Sequence, residues 1–336
     1  MEIRRYPDLL GQLQRGRTTA QIRERLQTVS TEAVTGLKSD VTKATNGALG
    51  DGHLLRKAIN DVEQIQGINA LSQTRLSLMT GAISGSRESI DDIHTRGTVI
   101  LEQNNAVGLD IIASEAEASL ESIMSAFSVS HGNRYLFSGD RTQTPPFADT
   151  QQLLDDVRAI MTTAATPAEI ETALDQYFND PAGGFQTTIY QGTDTPPPPL
   201  PYADGKSAPI TLTGQSSDIK DALRGLAVLA TAQDFNSDIT STPFRDVFTQ
   251  GLTSVSNANQ AFITLEGQMG IYASQINQSN ERLSDEAQIL STAFQDMFGR
   301  DQFEAAGELK ALEAQLQASY TITARLSDLT LTNFIR

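Results

Sequence analysis

Reading every seventh residue from Val255 gives Val255, Phe262, Met269, Ile276, Leu283, Leu290 and Met297, an unbroken apolar series. The series three residues earlier, Leu252, Asn259, Glu266, Ala273, Asn280, Ala287 and Phe294, mixes apolar, small and polar side chains. A strict seven-residue repeat makes a narrow stripe along a helix, and a second helix satisfies it in a slow left-handed supercoil. An earlier arm supplies such a partner. From Leu55 it offers Val62, Ile65, Leu76, Met79, Ile83, Ile90, Ile93, Ile100, Val107 and Ile111, interrupted by Asn69, Ser72, Ser86, Gly97, Asn104 and Ser114. Polar residues in a seam lower stability but fix register. No aromatic residue stands between Tyr6 and Phe127, so this arm packs through aliphatic side chains. The two stripes predict an antiparallel bundle.

Proline placement marks where helix gives way. There is none between Pro7 and Pro145 and none after Pro243, while Pro196, Pro197, Pro198, Pro199 and Pro201 are nearly continuous. Proline costs about 3 kcal/mol inside a helix, so two helical arms should flank a compact middle. Within that middle, Gln151–Thr163 and Pro167–Phe178 have helical spacing, the second with Thr166 as N-cap and Pro167 in the first position. Gly184–Tyr190 and Pro209–Thr213 alternate as strands, split by the proline run and a turn at Ala203-Asp204-Gly205. Ile219–Ala232 reads as a short helix leading back to the bundle. Weaker stripes occupy the ends: Leu9, Leu13, Ala20, Leu26, Val29 and Ala33, then Leu309, Leu312, Leu316, Tyr320, Thr323 and Leu326. Thr35–Gly52 reads as a loop, and Phe298–Asp301 as a break in the second arm.

The predicted fold is therefore mainly α: a long antiparallel helical bundle or coiled coil from both terminal arms, with a small α+β outer domain inserted between them. The expected division is 1–45 and 299–336 as terminal-helix segments, 46–140 and 216–298 as the halves of the bundle, and 141–215 as the outer domain.

Composition narrows the function. The 336 residues carry a formal net charge of −16, which argues against a nucleic-acid partner, whose footprint is a positive patch. Residues 1–60 hold ten Lys/Arg against six acids, a basic end on an acidic body that suits head-to-tail or ring assembly. There is no Cys, hence no disulfide, thiol nucleophile or thiolate ligand. No window approaches a membrane span, the first residues lack the apolar core of a cleaved signal, and the basic N-terminal helix lacks aromatic membrane anchors. His53, His94 and His131 are scattered, and no nucleotide-binding, zinc-protease or serine-hydrolase motif occurs. Asp91-Asp92 and Asp155-Asp156 are adjacent on helices, so each pair points in divergent directions and reads as solvated acids. The proline run reads as a rigid spacer.

Three stretches carry a resemblance. Gln21–Ser39, QIRERLQTVSTEAVTGLKS, is a helix ending in a Thr-Gly turn followed by a basic residue; Asn133–Phe147 reads NRYLFSGDRTQTPPF; Ser319–Ile335 reads SYTITARLSDLTLTNFI. Together they resemble the flagellin superfamily, and within it the hook-associated branch. The resemblance implies a structural, non-enzymatic subunit of the bacterial flagellum without cofactor or metal. Such a subunit forms the hook–filament junction and polymerises through its N- and C-terminal helices, which fold on assembly. It implies an extracellular protein exported through the flagellar type III apparatus without a cleaved signal. Its partners would be further copies of itself, neighbouring axial proteins (the other junction protein and filament flagellin) and an export chaperone. Leu9, Leu13, Leu26, Val29, Leu312, Leu316, Leu326 and Leu329 would form the assembly interface, and Phe137, Pro146 and Phe147 the joint between bundle and outer domain. Two other readings are a filament flagellin and a soluble hydrolase or binding module built on the middle domain.

Overall fold

A computed structural model describes residues 9–39, 49–203 and 205–334 of the chain, with side chains over 13–39, 50–203 and 205–325. Eight helices dominate these residues: α1 (Leu9–Thr35), α2 (Leu49–Glu102), α3 (Ala106–Phe127), α4 (Thr150–Thr163), α5 (Pro167–Asn179), α6 (Ser217–Phe235), α7 (Thr242–Phe298) and α8 (Gln302–Phe334). Two short hairpins complete them: β1 (Ser130–His131) with β2 (Arg134–Tyr135), and β3 (Leu200–Tyr202) with β4 (Lys206–Ala208). The chain forms two compact units, Met1–Gln64 with Leu283–Arg336, and Ile65–Arg282.

In the Ile65–Arg282 unit, α2 and α7 run antiparallel. Asn69 meets Asn280, Arg87 meets Glu266, Asp91 meets Asn259, and Arg245 reaches the Leu101 carbonyl and Asn104. Val255, Phe262, Met269 and Ile276 are all buried, whereas the series three residues earlier is only half-buried beyond Leu252. The mixed edge of the stripe is thus where polar residues of the two arms find one another. Asn69 is fully buried and satisfied: its amide donates to Asn280 Oδ1 at 2.7 Å, and its oxygen accepts from the Ala203 N–H at 3.2 Å. Buried amides are tolerated when bonded in this way.

The first arm is not one helix. At Gln103–Asn105 it breaks, with Asn104 at φ 51°, and Asn105 caps α3 by accepting from the Gly108 N–H. Asparagine tolerates the left-handed region because its short side chain bonds locally. The chain then reverses, and α3 packs antiparallel on α2 through Ser89–Ser119 and Arg96–Glu115. This corrects the seam read from sequence: Val107 and Ile111 are 76% and 55% exposed, and Leu109, Ile112, Ala116 and Leu120 are buried instead.

The middle keeps its predicted helices. Thr166 Oγ1 accepts from the Glu169 N–H, and the Glu169 carboxylate reaches back past this N-cap to accept from the Ala165 N–H, a variant of the capping box that fixes where the helix starts. Its strands differ. Phe185–Ile189 is a single π-helical turn rather than a strand. Residues four apart share a face in both geometries, so burial of Phe185 and Ile189 could not separate them. Gly183 and Gly184 decide it: a Cβ on Gly184 would stand 2.2 Å from the Tyr177 ring, so only glycine lets the chain fold back this tightly on α5. Pro209–Thr213 does bury Ile210 and Leu212 alternately, but it pairs with no strand, and the ladder forms instead between 200–202 and 206–208. Asp204, in the expected turn, lies outside the described residues; Ala203 and Gly205 beside it are left-handed.

Candidate assembly surfaces

In the other unit, α1 and α8 pair antiparallel. Thr19 bonds Ser319 at 3.0 Å, Arg23 Nε donates to the Tyr320 hydroxyl at 2.9 Å, and Arg25 pairs with Glu308 at 2.8 Å. The crossing end is tied by backbone: Lys38 N–H donates to the Phe298 carbonyl and Arg300 N–H to that of Gly36, both at 2.8 Å, around an isolated pairing of Leu37 with Gly299. Gly36, at φ 69°, closes α1 in the left-handed conformation that glycine adopts without a steric penalty. Asp301 caps α8 by accepting from the Phe303 and Glu304 amides. The helix break expected at Phe298–Asp301 is therefore present, whereas the far end of the expected loop, from Leu49, is already helical. Glu32, 6% exposed, accepts from the Ser39 N–H and stands 3.7 Å from Arg300, which also reaches Glu304 and Glu308. Part of the basic charge of the first sixty residues is thus spent inside the chain.

The seam of this pair is narrow. Val29 and Ala305 are fully buried, while Leu26, Leu312 and Leu316 are half-buried. Leu13 is 62% exposed, so it does not share the seam; the helical turn puts the half-buried Ile22 there, a residue the sequence stripe passed over. Ala20, Tyr320 and Thr323 likewise turn outward. The side chains of Leu9, Leu326 and Leu329 lie outside the described residues. Phe303 at 93% exposure, Val34 at 80% and Ile322 at 55% are apolar groups left exposed among the described residues.

The residues expected at the joint meet in the Ile65–Arg282 unit. Gly132 and Asn133, both near φ 60°, make the two-residue turn of the first hairpin, the type whose twist suits paired strands. That turn was legible as a Gly-Asn pair and was not read. Past it, Phe137 is buried edge-on against Phe127, with ring centres 4.8 Å apart, and Phe127 in turn contacts Phe262 of α7. Pro146 is buried and its carbonyl accepts from the Gln191 N–H; Phe147 packs near Phe185 and Tyr190. Gly214 N–H donates to the Phe137 carbonyl and Thr193 N–H to that of Ser138. Three distant segments therefore cross at one point. Gly139, at φ 65°, is required there because a Cβ would stand 2.3 Å from the Thr193 carbonyl oxygen. Burial pushes the Tyr190 phenol up to about 12, so it stays a neutral donor to the Thr193 carbonyl.

The acid pairs diverge as expected. Asp91 accepts from Asn259 and Asp92 pairs with Arg96; Asp155 pairs with Arg158 and Asp156 accepts from the Tyr177 hydroxyl. Among the described residues, no group of three His, Asp or Glu side chains is placed to hold a metal ion, and no helix is long and apolar enough to cross a membrane.

Comparison with known proteins adds three findings. A family model for the bacterial flagellin C-terminal helical region matches residues 252–335. A solved structure of a flagellar hook-associated protein from Vibrio parahaemolyticus aligns at TM-score 0.56 and 14% identity, over 74% of this chain and 96% of that one. FlgL of Bacillus cereus aligns at TM-score 0.45 and 17% identity, over 70% of this chain and 100% of that one. No curated protein matches the sequence. The Vibrio structure shares the fold, and residues 252–335 match the flagellin C-terminal helical region, in line with the likeness to the flagellin superfamily read from the sequence.

Proposed function

We propose that this chain is a structural subunit of the bacterial flagellum, set at the junction between hook and filament and polymerised through α1 and α8. The observation that carries this reading is the match to the flagellin C-terminal helical region over 252–335, the stretch that supplies the α7 stripe and the whole of α8, which pairs with α1. The role is mechanical rather than catalytic. Buried polar groups such as Asn69 are bonded within the bundle, and the acid pairs serve separate ion pairs and hydrogen bonds.

The interface is carried by Leu9, Leu13, Leu26, Val29, Leu312, Leu316, Leu326 and Leu329. Those in the seam hold the helix pair, and outward groups such as Leu13 and Phe303 meet neighbouring subunits. Burial of exposed apolar area is the general driving force for such association. Phe137, Pro146 and Phe147 hold the joint, and the five-part division at 45, 140, 215 and 298 describes the polymerised subunit. The protein lies outside the cell and reaches its place through the flagellar type III apparatus, escorted by a chaperone. Its axial neighbours are the other junction protein and filament flagellin.

Gold labelling of the tagged protein on intact flagella tests the reading. A band at the filament base is expected, with hooks lacking stable filaments when the gene is deleted. Decoration along the whole filament would instead make the chain a filament flagellin, and a deletion strain that swims normally would remove both assignments.

A further inference from the structure

In the Ile65–Arg282 unit, a cavity of about 280 Å³ lies among Arg75 and Met79 of α2, the β2 strand and the proline run. That is near the small end of ligand pockets, which run to roughly 300–1,000 Å³ and are mostly apolar with a few placed polar groups. Met79, Leu136 and Ile210 form its apolar lining, with Tyr135 and the rings of Pro197–Pro199 beside them. A proline has no backbone N–H, so this wall offers a ligand carbonyl oxygens and carbon but no donor. The side-chain donors are Arg75, Arg134 and the hydroxyls of Tyr135 and Thr142, of which only the two arginines are charged.

Those two arginines differ from the rest of the unit. Arg87, Arg96, Arg158 and Arg224 have carboxylate partners, and Arg141, Arg245 and Arg282 donate to carbonyl oxygens. Among the described residues, Arg75 and Arg134 have neither, although the whole chain carries a net charge of −16. Arg75 Nε is moreover buried without an acceptor, and a buried donor left unbonded is uncommon enough to need a reason.

We infer that this cavity binds a small amphipathic carboxylate, an acid group on an aliphatic or aromatic body, with the acid accepting from Arg75 and Arg134. The guanidinium presents planar, directed donors that match a carboxylate. The apolar lining takes the body, and the positive charge of the two guanidiniums makes the site select for an acid over a neutral alcohol.

Titration of the full chain with 3-phenylpropionate, followed by ligand-observed NMR and calorimetry, tests this. Saturable one-to-one binding is expected, at least about tenfold tighter than for 3-phenylpropanol, the size of effect a charge-assisted hydrogen bond gives. Arg75→Gln and Arg134→Gln should each weaken the acid about tenfold and leave the alcohol unchanged, with circular dichroism confirming the fold. Arg134 is exposed on a hairpin, so its variant reads the site even if replacement at Arg75 disturbs α2. No saturable binding to the intact chain, equal affinity for acid and alcohol, or unchanged acid binding in the folded Arg134→Gln protein would overturn the assignment.

Discussion

The two compact units bury their apolar side chains to very different extents. One continuous core runs from Leu76 to Ile276, wholly within Ile65–Arg282, and it includes Phe127, Phe137, Phe244, Phe248 and Phe262. Among the described residues, the other unit buries only Val29, Val62, Leu283, Phe298 and Ala305, and it leaves Leu13, Val34, Ile289, Phe303 and Ile322 in water. Each buried aliphatic or aromatic side chain contributes roughly 1.5–3 kcal/mol, while ordering each backbone residue costs about 1–2 kcal/mol. A seam one side chain wide is a poor exchange on those terms. The Ile65–Arg282 unit completes its burial within itself; the other, among the described residues, leaves most of its apolar side chains half-buried or in water.

The largest test of that contrast removes the ends. Deleting residues 1–30 or 310–336 should abolish polymer formation, seen by sedimentation and electron microscopy. The Ile65–Arg282 unit should keep its own cooperative melt within about 2 °C of the intact chain's. Loss of all helical signal on either truncation would mean that the ends belong to the core.

Single side chains should show the same asymmetry. Phe137→Ala removes a fully buried ring and its edge contact with Phe127, and should cost about 3–5 kcal/mol in urea unfolding. Leu26→Ala, in the half-buried seam of α1, should cost only about 1 kcal/mol. Equal costs would erase the distinction between core and seam.

How much of this was readable in advance follows from the same physics. The α7 stripe was plain because a seven-residue repeat buried on one side leaves one periodicity in the sequence, and Val255 to Ile276 obey it. The break before α3 was not, because the signal was a bare Gln-Asn-Asn with no proline or glycine, and asparagine's left-handed tolerance acted there. Ile22 was passed over because an α-helix drifts against a seven-residue count, so a weak stripe of mixed residues can be drawn through the wrong side. The aromatic crossing at Phe137 and Phe147 was found only through its resemblance to a known element. Its physical need, three strands of chain meeting where Gly139 has no room for a side chain, is a tertiary fact. The Arg75–Arg134 cavity left no trace at all, since residues on two distant segments carry no spacing to read.

A backbone test sharpens the comparison at lower cost. Gly139→Ala places a Cβ against the Thr193 and Thr195 carbonyl oxygens at a positive φ, and should destabilise by about 1–3 kcal/mol. Hydrogen exchange at the Thr193 amide, which donates to the Ser138 carbonyl, should quicken well before that of α1. If exchange in both regions rose together, the crossing would be supporting the whole chain and not one unit.

The smallest expected effect concerns charge. Asp221, on α6 in the cored unit, has its carboxyl raised above the usual range, chiefly by burial and further by Asp218, against the lowering influence of Arg224 and Lys220. A carboxyl raised in the folded state opposes folding where it is ionised, above the folded value, and ceases to do so once protonated in both states. Asp221→Asn should therefore raise the melting temperature at pH 7 on the order of 1 °C, and the gain should vanish towards pH 3. Because the group sits on a helix of the Ile65–Arg282 unit, that shift should survive in the truncated chains that no longer polymerise. A shift seen only in the polymer would place Asp221 at a contact between subunits, and the division between a self-sufficient unit and an assembling one would have to be redrawn.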